Sequence, residues 1–141
     1  MLVKLLKRDI INHWGMIEES FKHAPNADQL YDNRHKIMET LLIGKADVWC
    51  TIRDDEIRTV SLTSMIYDPI TLEKGILLYY THALKPTEDI DWAEGIVTLK
   101  RYAKAEGCAY VVAYSKVPKV IEMARLVGGD IDTRMLTFKV E

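Results

Sequence analysis

The stretch LLYYTHALKPTEDIDWAEGI, residues 77–96, gathers most of the chemistry-bearing side chains of this chain. Tyr79, Tyr80 and His82 fall close together on an apolar run. A histidine desolvated beside a cleft takes up a proton near neutral pH, and a neighbouring tyrosine can return one. The same residues also suit a plainer role, because an isolated histidine or tyrosine near a strand end is ordinarily a packing residue with its polar atom satisfied. The run then passes through a polar loop into an amphipathic segment. Strand–loop–helix junctions of this kind hold phosphate groups, since a helix start offers free backbone N–H donors and positive dipole charge. Here the loop has no glycine, Pro86 lacks an N–H, and Glu88, Asp89, Asp91 and Glu94 crowd the helix start, with Lys85 the nearest cation. Carboxylates at that place complement the helix dipole and oppose a bound anion. The junction reads as a capped helix start rather than a phosphate cradle.

Other candidate groups are sparser. Tyr110 and Tyr114 could line the opposite wall of a cleft beside His82, and Ser115 suits a helix cap better than a nucleophile. The four histidines are scattered, with no HxxxH, CxxC or HxxE spacing, so no metal site is expected. Cys50 and Cys108 sit in apolar segments and read as buried free thiols of a reducing compartment. With 48% hydrophobic and 28% charged residues, the 141-residue chain has an ordinary globular composition. A net charge of -2 gives no basic, nucleic-acid-binding surface, so RHK and LKRYAK read as solvated helix faces. No apolar run approaches the ~18 residues of a membrane span. The opening MLVKLLKRDIINHW is too quickly charged for a signal peptide, so a cytoplasmic protein is expected.

These residues must be positioned by alternating elements. A short strand at 2–6 precedes a helix at 9–23, with Ile10, Trp14, Ile17 and Phe21 on one face. Pro25-Asn26 breaks it, and a second helix at 28–43, with Leu30, Ile37 and Leu41 inward, stops at Gly44. Strands at 46–53 and 56–67 form a hairpin across Asp54-Asp55, with Val48, Cys50, Val60 and Leu62 facing the core. Trp49 alternates against them and is expected to face another layer or a partner. A third strand at 74–83 leads to a helix at 89–106, whose buried stripe is Trp92, Ile96, Leu99 and Ala103. A strand at 109–114, a helix capped by Ser115, and a last strand at 131–140, with Leu136, Phe138 and Val140 alternating, complete the chain. The order is β-α-α-β-β-β-α-β-α-β in a single α/β domain over residues 1–141. The β-α-β crossover makes strands 74–83 and 109–114 parallel, so the sheet is mixed, mostly antiparallel, with helices on both faces.

That order is similar to the GNAT N-acetyltransferase superfamily over essentially the whole chain. MLVKLLKRDIINHWGMIEESF resembles the family's first strand and helix, and DVWCTIRDDEIRTVSLTSMI its central hairpin. GILLYYTHAL resembles the strand that carries the acetyl-CoA site, and CAYVVAYSKVPKVIEMARLVGGDIDTRMLTFKV the closing strand–helix–strand. The resemblance implies an acetyl-CoA site between strands 75–83 and 109–114. On that reading Tyr79, Thr81, Ala83, Lys85 and Tyr114 would hold acetyl-CoA, and His82 and Tyr80 would be catalytic. The chain departs from the family's pattern in its glycine-free loop and at Ala124, where the family's acid is a tyrosine. The opening HW motif and the compact size are most similar to GNAT-like proteins of tailed bacteriophages. The expected function is therefore a GNAT-like protein with a degenerate pyrophosphate loop and no cofactor. It would act through contacts with virion proteins or itself, in the host cytoplasm or a virion, without nucleic-acid or membrane partners. The alternative is an acetyl-CoA-dependent N-acetyltransferase with an atypical loop.

Overall fold

The computed structural model describes residues 1–115, 117–133 and 136–140. Five strands form one sheet in the order β1 (Leu2–Lys4), β2 (Ala46–Arg53), β3 (Glu56–Tyr67), β4 (Lys74–Ala83) and β5 (Tyr110–Ala113). The first three pairings are antiparallel and the β4–β5 pairing is parallel. Helix α5 (Asp89–Ala105) carries the chain between the parallel strands. This is the mixed, mostly antiparallel α/β arrangement expected from the order of elements.

The two helices expected ahead of the hairpin each run as two pieces. The first is α1 (Lys7–Asn12) and α2 (Trp14–Ser20), followed by a 3-10 turn, Phe21–His23. The second is α3 (Ala27–Asp32) and α4 (Arg34–Leu42). Both interruptions are kinks rather than breaks. The His13 N–H still reaches the Asp9 carbonyl at 2.9 Å, and the Ile37 N–H reaches the Asn33 carbonyl at 2.9 Å. At Asn33 the side-chain amide donates to the Gln29 carbonyl at 2.8 Å, the same acceptor its own backbone N–H uses. Such side-chain competition for a ladder carbonyl bends a helix.

Two apolar layers clasp the sheet. Ile10, Ile17, Phe21 and Leu41 from the helices pack on Val48, Cys50, Val60, Leu62 and Tyr80 from the strands. On the other face Trp49, Leu78 and Leu99 form the centre, with Leu2, Tyr102 and Val111 against them. Period-two alternation on β2 thus sends Val48 and Cys50 one way and Trp49 the other. Trp49 does face a second layer: its Nε1 donates to Thr63 Oγ1 at 2.9 Å, and its ring meets Tyr102 edge-on at 5.0 Å. The β2–β3 hairpin turns through Asp54 and Asp55 at φ 53 and 60, the double left-handed geometry that matches strand twist.

The end of the chain departs from expectation. The strand at 131–140 includes Arg134 and Met135, which lie outside the described residues. The remainder is not strand, and Leu136, Phe138 and Val140 are 75%, 84% and 93% exposed. Asp130 instead closes a local turn, its Oδ1 accepting the N–H groups of Asp132 and Thr133. Ser115 likewise does not cap a helix directly. It accepts the Val117 N–H at 3.1 Å, and helix α6 (Pro118–Leu126) starts with proline at its first position, where a missing N–H costs nothing.

Two glycines give opposite expectations. At Gly75 on β4, the Tyr110 ring fills the space a Cβ would need. At Gly95, inside α5, a Cβ would meet no atom within 4 Å. Gly75→Ala should therefore lower the unfolding free energy by about 1–3 kcal/mol through overpacking. Gly95→Ala should raise it by about 0.5–1 kcal/mol by reducing chain entropy in the unfolded state. Denaturant titration of both variants checks this, and shifts of the same sign would contradict the packing described.

Candidate functional site

The β4–β5 pairing joins Gly75–Leu78 to Tyr110–Ala113 and ends there. Just beyond, the register with β3 slips: Thr63 opposes Leu78 and Leu62 opposes Tyr80, so Tyr79 is an extra residue. A bulge of this kind bends its strand and interrupts regular pairing. From Tyr79 to Ala83, β4 has no β5 partner among the described residues. The bulge also resets the side-chain alternation. Tyr79 and Tyr80 both pack toward the α1–α4 layer. Thr81 turns to the opposite face, its hydroxyl 2.8 Å from Ser61 Oγ.

The residues singled out from sequence divide accordingly. Tyr79, Tyr80, Thr81, His82 and Ala83 follow one another along the open half of β4. Tyr114, 43% exposed, lies just past the end of β5. Lys85 lies beyond β4, and its Nζ is drawn to Glu56 Oε2 at 2.8 Å. That contact, with Arg58 adding to it, holds the Glu56 carboxyl below its ordinary pKa.

Tyr80 and His82 share a face but not an environment. The Tyr80 hydroxyl lies inside the core, 2.7 Å from Ser20 Oγ, and the Ser20 hydroxyl donates to the Ile17 carbonyl. Burial pushes the phenol up to about 12, against the Ser20 hydrogen bond, so it keeps its proton. Burial likewise pushes the neighbouring Cys50 thiol up to about 11. His82 is half-buried and stacks flat on His23 of the 3-10 turn, with ring centroids 3.8 Å apart and planes 2° from parallel. Burial lowers its pKa below 6.5, the His23 ring lowers it further, and Glu19 opposes both. At neutral pH His82 is therefore a neutral imidazole.

The helix start carries a different set of contacts. The Glu88 N–H donates to Asp91 Oδ2 at 3.0 Å. Arg53, from the end of β2, places Nη2 2.7 Å from Asp91 Oδ1 and Nη1 3.8 Å from Glu88. The Arg53–Asp91 contact brings the charges together without an aligned hydrogen bond, so the buried Oδ1 makes none. Lys119 of α6 reaches Asp89 at 3.6 Å. Among the described residues, Arg53, Lys85 and Lys119 thus each face a carboxylate. A phosphate charge about 6 Å from a carboxylate is opposed by about 3 kcal/mol at an effective dielectric near 20, less where the carboxylate is paired. The residues at the head of α5 do not fit the pyrophosphate of CoA. A cavity of about 40 Å³ lies beneath the same turns, between Asp91, Trp92 and Gly95 and the hydroxyls of Thr51, Thr59 and Ser61. At ~10–15 Å³ per water it has room for a few waters.

Among the described residues, no three His, Cys, Asp or Glu side chains converge as a metal-ligand set, and no helix is long and apolar enough to cross a membrane. No family model and no curated protein matches the sequence. Solved structures do match. An aminoglycoside acetyltransferase from an uncultured soil metagenomic sample, in complex with sisomicin, superposes with a TM-score of 0.75 at 10% identity, over 100% of this chain and 95% of its own. A predicted acetyltransferase with acetyl-CoA from Clostridium acetobutylicum gives 0.73 at 13% identity, over 99% and 95%. The ribosomal-protein-alanine N-acetyltransferase from Brucella melitensis gives 0.69 at 14%, over 100% and 99%.

The fold is that of the GNAT acetyltransferases.

Within this GNAT fold, spacing along the chain pointed to the β4 residues. It gave no signal for Ser20, His23 or Arg53, which reach the same region from elements far away in sequence.

Two measurements follow from the buried and half-buried groups. A histidine whose folded pKa is depressed is protonated more readily when unfolded. The stability it contributes is present above pH 6.5 and is lost as pH falls from 6.5 toward its folded value. The unfolding free energy should therefore decline over that window, less steeply in His82→Gln, and NMR titration should place the His82 midpoint below 6.5. Ser20→Ala should cost about 1–3 kcal/mol by stranding the Tyr80 hydroxyl. Tyr80→Phe should cost less, since Ser20 keeps the Ile17 carbonyl. The reverse ranking in denaturant titration would refute this assignment of the pair.

Proposed function

We propose that this chain is an acyltransferase of the GNAT fold, moving an acyl group from a thioester to an amine, with the thioester seated along the unpaired half of β4. The observation that carries this reading is that β4 beyond the bulge, Tyr79–Ala83 with His82 in it, has no β5 partner among the described residues. The neighbouring solved structures support this class, since those named above are acetyltransferases. In the step itself the amine nitrogen bonds to the acyl carbon, the carbon–sulfur bond breaks, and His82 takes the amine's proton. A neutral imidazole suits that role at neutral pH. Thr81, Ala83 and Tyr114 border the thioester's seat. Tyr80 holds the strand from the core side and gives no proton to the departing sulfur, because its hydroxyl is bonded to Ser20.

A second reading is favoured by the head of α5, where carboxylates face Arg53, Lys85 and Lys119. On that reading no cofactor binds. The chain acts through contacts with other proteins or with its own copies, in the virion or host-cytoplasm setting that the resemblance to phage GNAT-like proteins implies.

Thiol release from acetyl thioesters in the presence of a panel of primary amines separates the two. Amine-dependent release is expected, with His82→Ala slower by about 10²–10⁴-fold, the usual contribution of a general base. No release from any thioester would discard the first reading in favour of the second. Unchanged turnover in His82→Ala would remove His82 from the mechanism.

A further inference from the structure

We infer that the thioester accepted by the unpaired edge of β4 is recognised through its pantetheine arm alone, as an acyl-pantetheine without the adenosine pyrophosphate of CoA. The inference rests on the acyltransferase reading and concerns the class of donor. The unpaired half of β4 carries only neutral residues, Tyr79, Tyr80, Thr81, His82 and Ala83. It suits an uncharged chain of amides lying along a strand edge, which offers N–H and C=O groups in register. The next element along the chain should hold the donor's phosphates, and its chemistry is the reverse of what an anion needs. The Glu88 N–H is spent on Asp91, and Pro86 has no N–H to give. Arg53 is held by Asp91 and Glu88, Lys85 by Glu56, and Lys119 by Asp89. Asp91 is the telling residue. Its side chain is only 8% exposed, and it sits in the first turn of α5 with one oxygen on the Glu88 N–H and the other against a guanidinium. Those are the partners a bound phosphate would otherwise take, so the protein's own carboxylate already occupies the anion's place. A donor ending at the pantetheine hydroxyl leaves these contacts intact. A donor carrying pyrophosphate must displace them or lie against them.

Calorimetric titration with acetyl-CoA and with S-acetyl-pantetheine tests this. At about 0.1 M sodium chloride, acetyl-pantetheine should bind as tightly as acetyl-CoA or more tightly. Raising the salt to about 1 M shortens the screening length from ~10 Å to ~3 Å, and should tighten acetyl-CoA severalfold while hardly moving acetyl-pantetheine. Asp89→Asn, an exposed change that frees Lys119, should tighten acetyl-CoA by about threefold or more and leave acetyl-pantetheine within about a factor of two. If acetyl-CoA binds about tenfold tighter than acetyl-pantetheine and salt weakens it, the helix start does recognise an anion. The inference is then wrong, while the acyltransferase reading stands. If Asp89→Asn leaves both ligands unchanged, the proposed repulsion is absent and the inference also falls. If neither ligand binds, the donor seat itself is refuted, and the inference falls with it.

Discussion

Tyr79 has no partner on β3, and much of the molecule's organisation follows from that one surplus residue. A strand with strict alternation would send Tyr80 and His82 to the same face as Leu78, against α5. The extra residue shifts everything after it by one place, so Leu78 closes one core and Tyr80 closes the other. The parallel pairing with β5 ends at the residue before the bulge, after the four residues of β5. One irregularity therefore decides which layer each aromatic joins. Ser20 and His23 then hold the displaced half of β4 in place from the helical layer, through a hydrogen bond at 2.7 Å and a ring stack at 3.8 Å.

The head of α5 shows how a common architecture can be kept while its electrostatics are inverted. Helix dipoles attract anions to their starts, and that attraction is met equally well by a side chain as by a ligand. Here Asp91 meets it from within, and Arg53 neutralises Asp91 in turn. A carboxylate supplied by the chain adds to stability whether or not a ligand is present. It is also a permanent feature, whereas a bound phosphate comes and goes.

What could be read beforehand was whatever depends on near neighbours. The apolar spacing of Ile10, Trp14, Ile17 and Phe21 marked a helix, Asp54-Asp55 marked a turn, and the crossover through α5 required a parallel pair. The crowding of Glu88, Asp89 and Asp91 could also be read directly, and Asp91 accepts the Glu88 N–H in the manner of a helix cap. The contacts that decide the site were not legible, because Arg53–Asp91, Ser20–Tyr80 and His23–His82 each join elements far apart in the chain. The bulge at Tyr79 has no local signature, as a tyrosine pair suits a regular strand equally well. Where two of the expected helices kink, apolar spacing was insensitive, since the hydrogen-bond ladder continues across His13 and Asn33. The expected last strand shows the opposite limit: alternation is a property of the segment, while being a strand requires a partner.

That segment has a further meaning for how the protein behaves in a crowded solution. Leu136, Phe138 and Val140 point their apolar side chains outward, and among the described residues nothing pairs with the outer edge of β5. An unpaired, strand-patterned stretch and an open sheet edge on the same molecule are the two halves of a template for runaway self-association. Lys139, set between Phe138 and Val140 and exposed, places a charge within that pattern. Charged residues at such places act as gatekeepers, because stacking chains in register would bring like charges together. An ammonium group set within the apolar pattern thus opposes the self-association that the pattern invites.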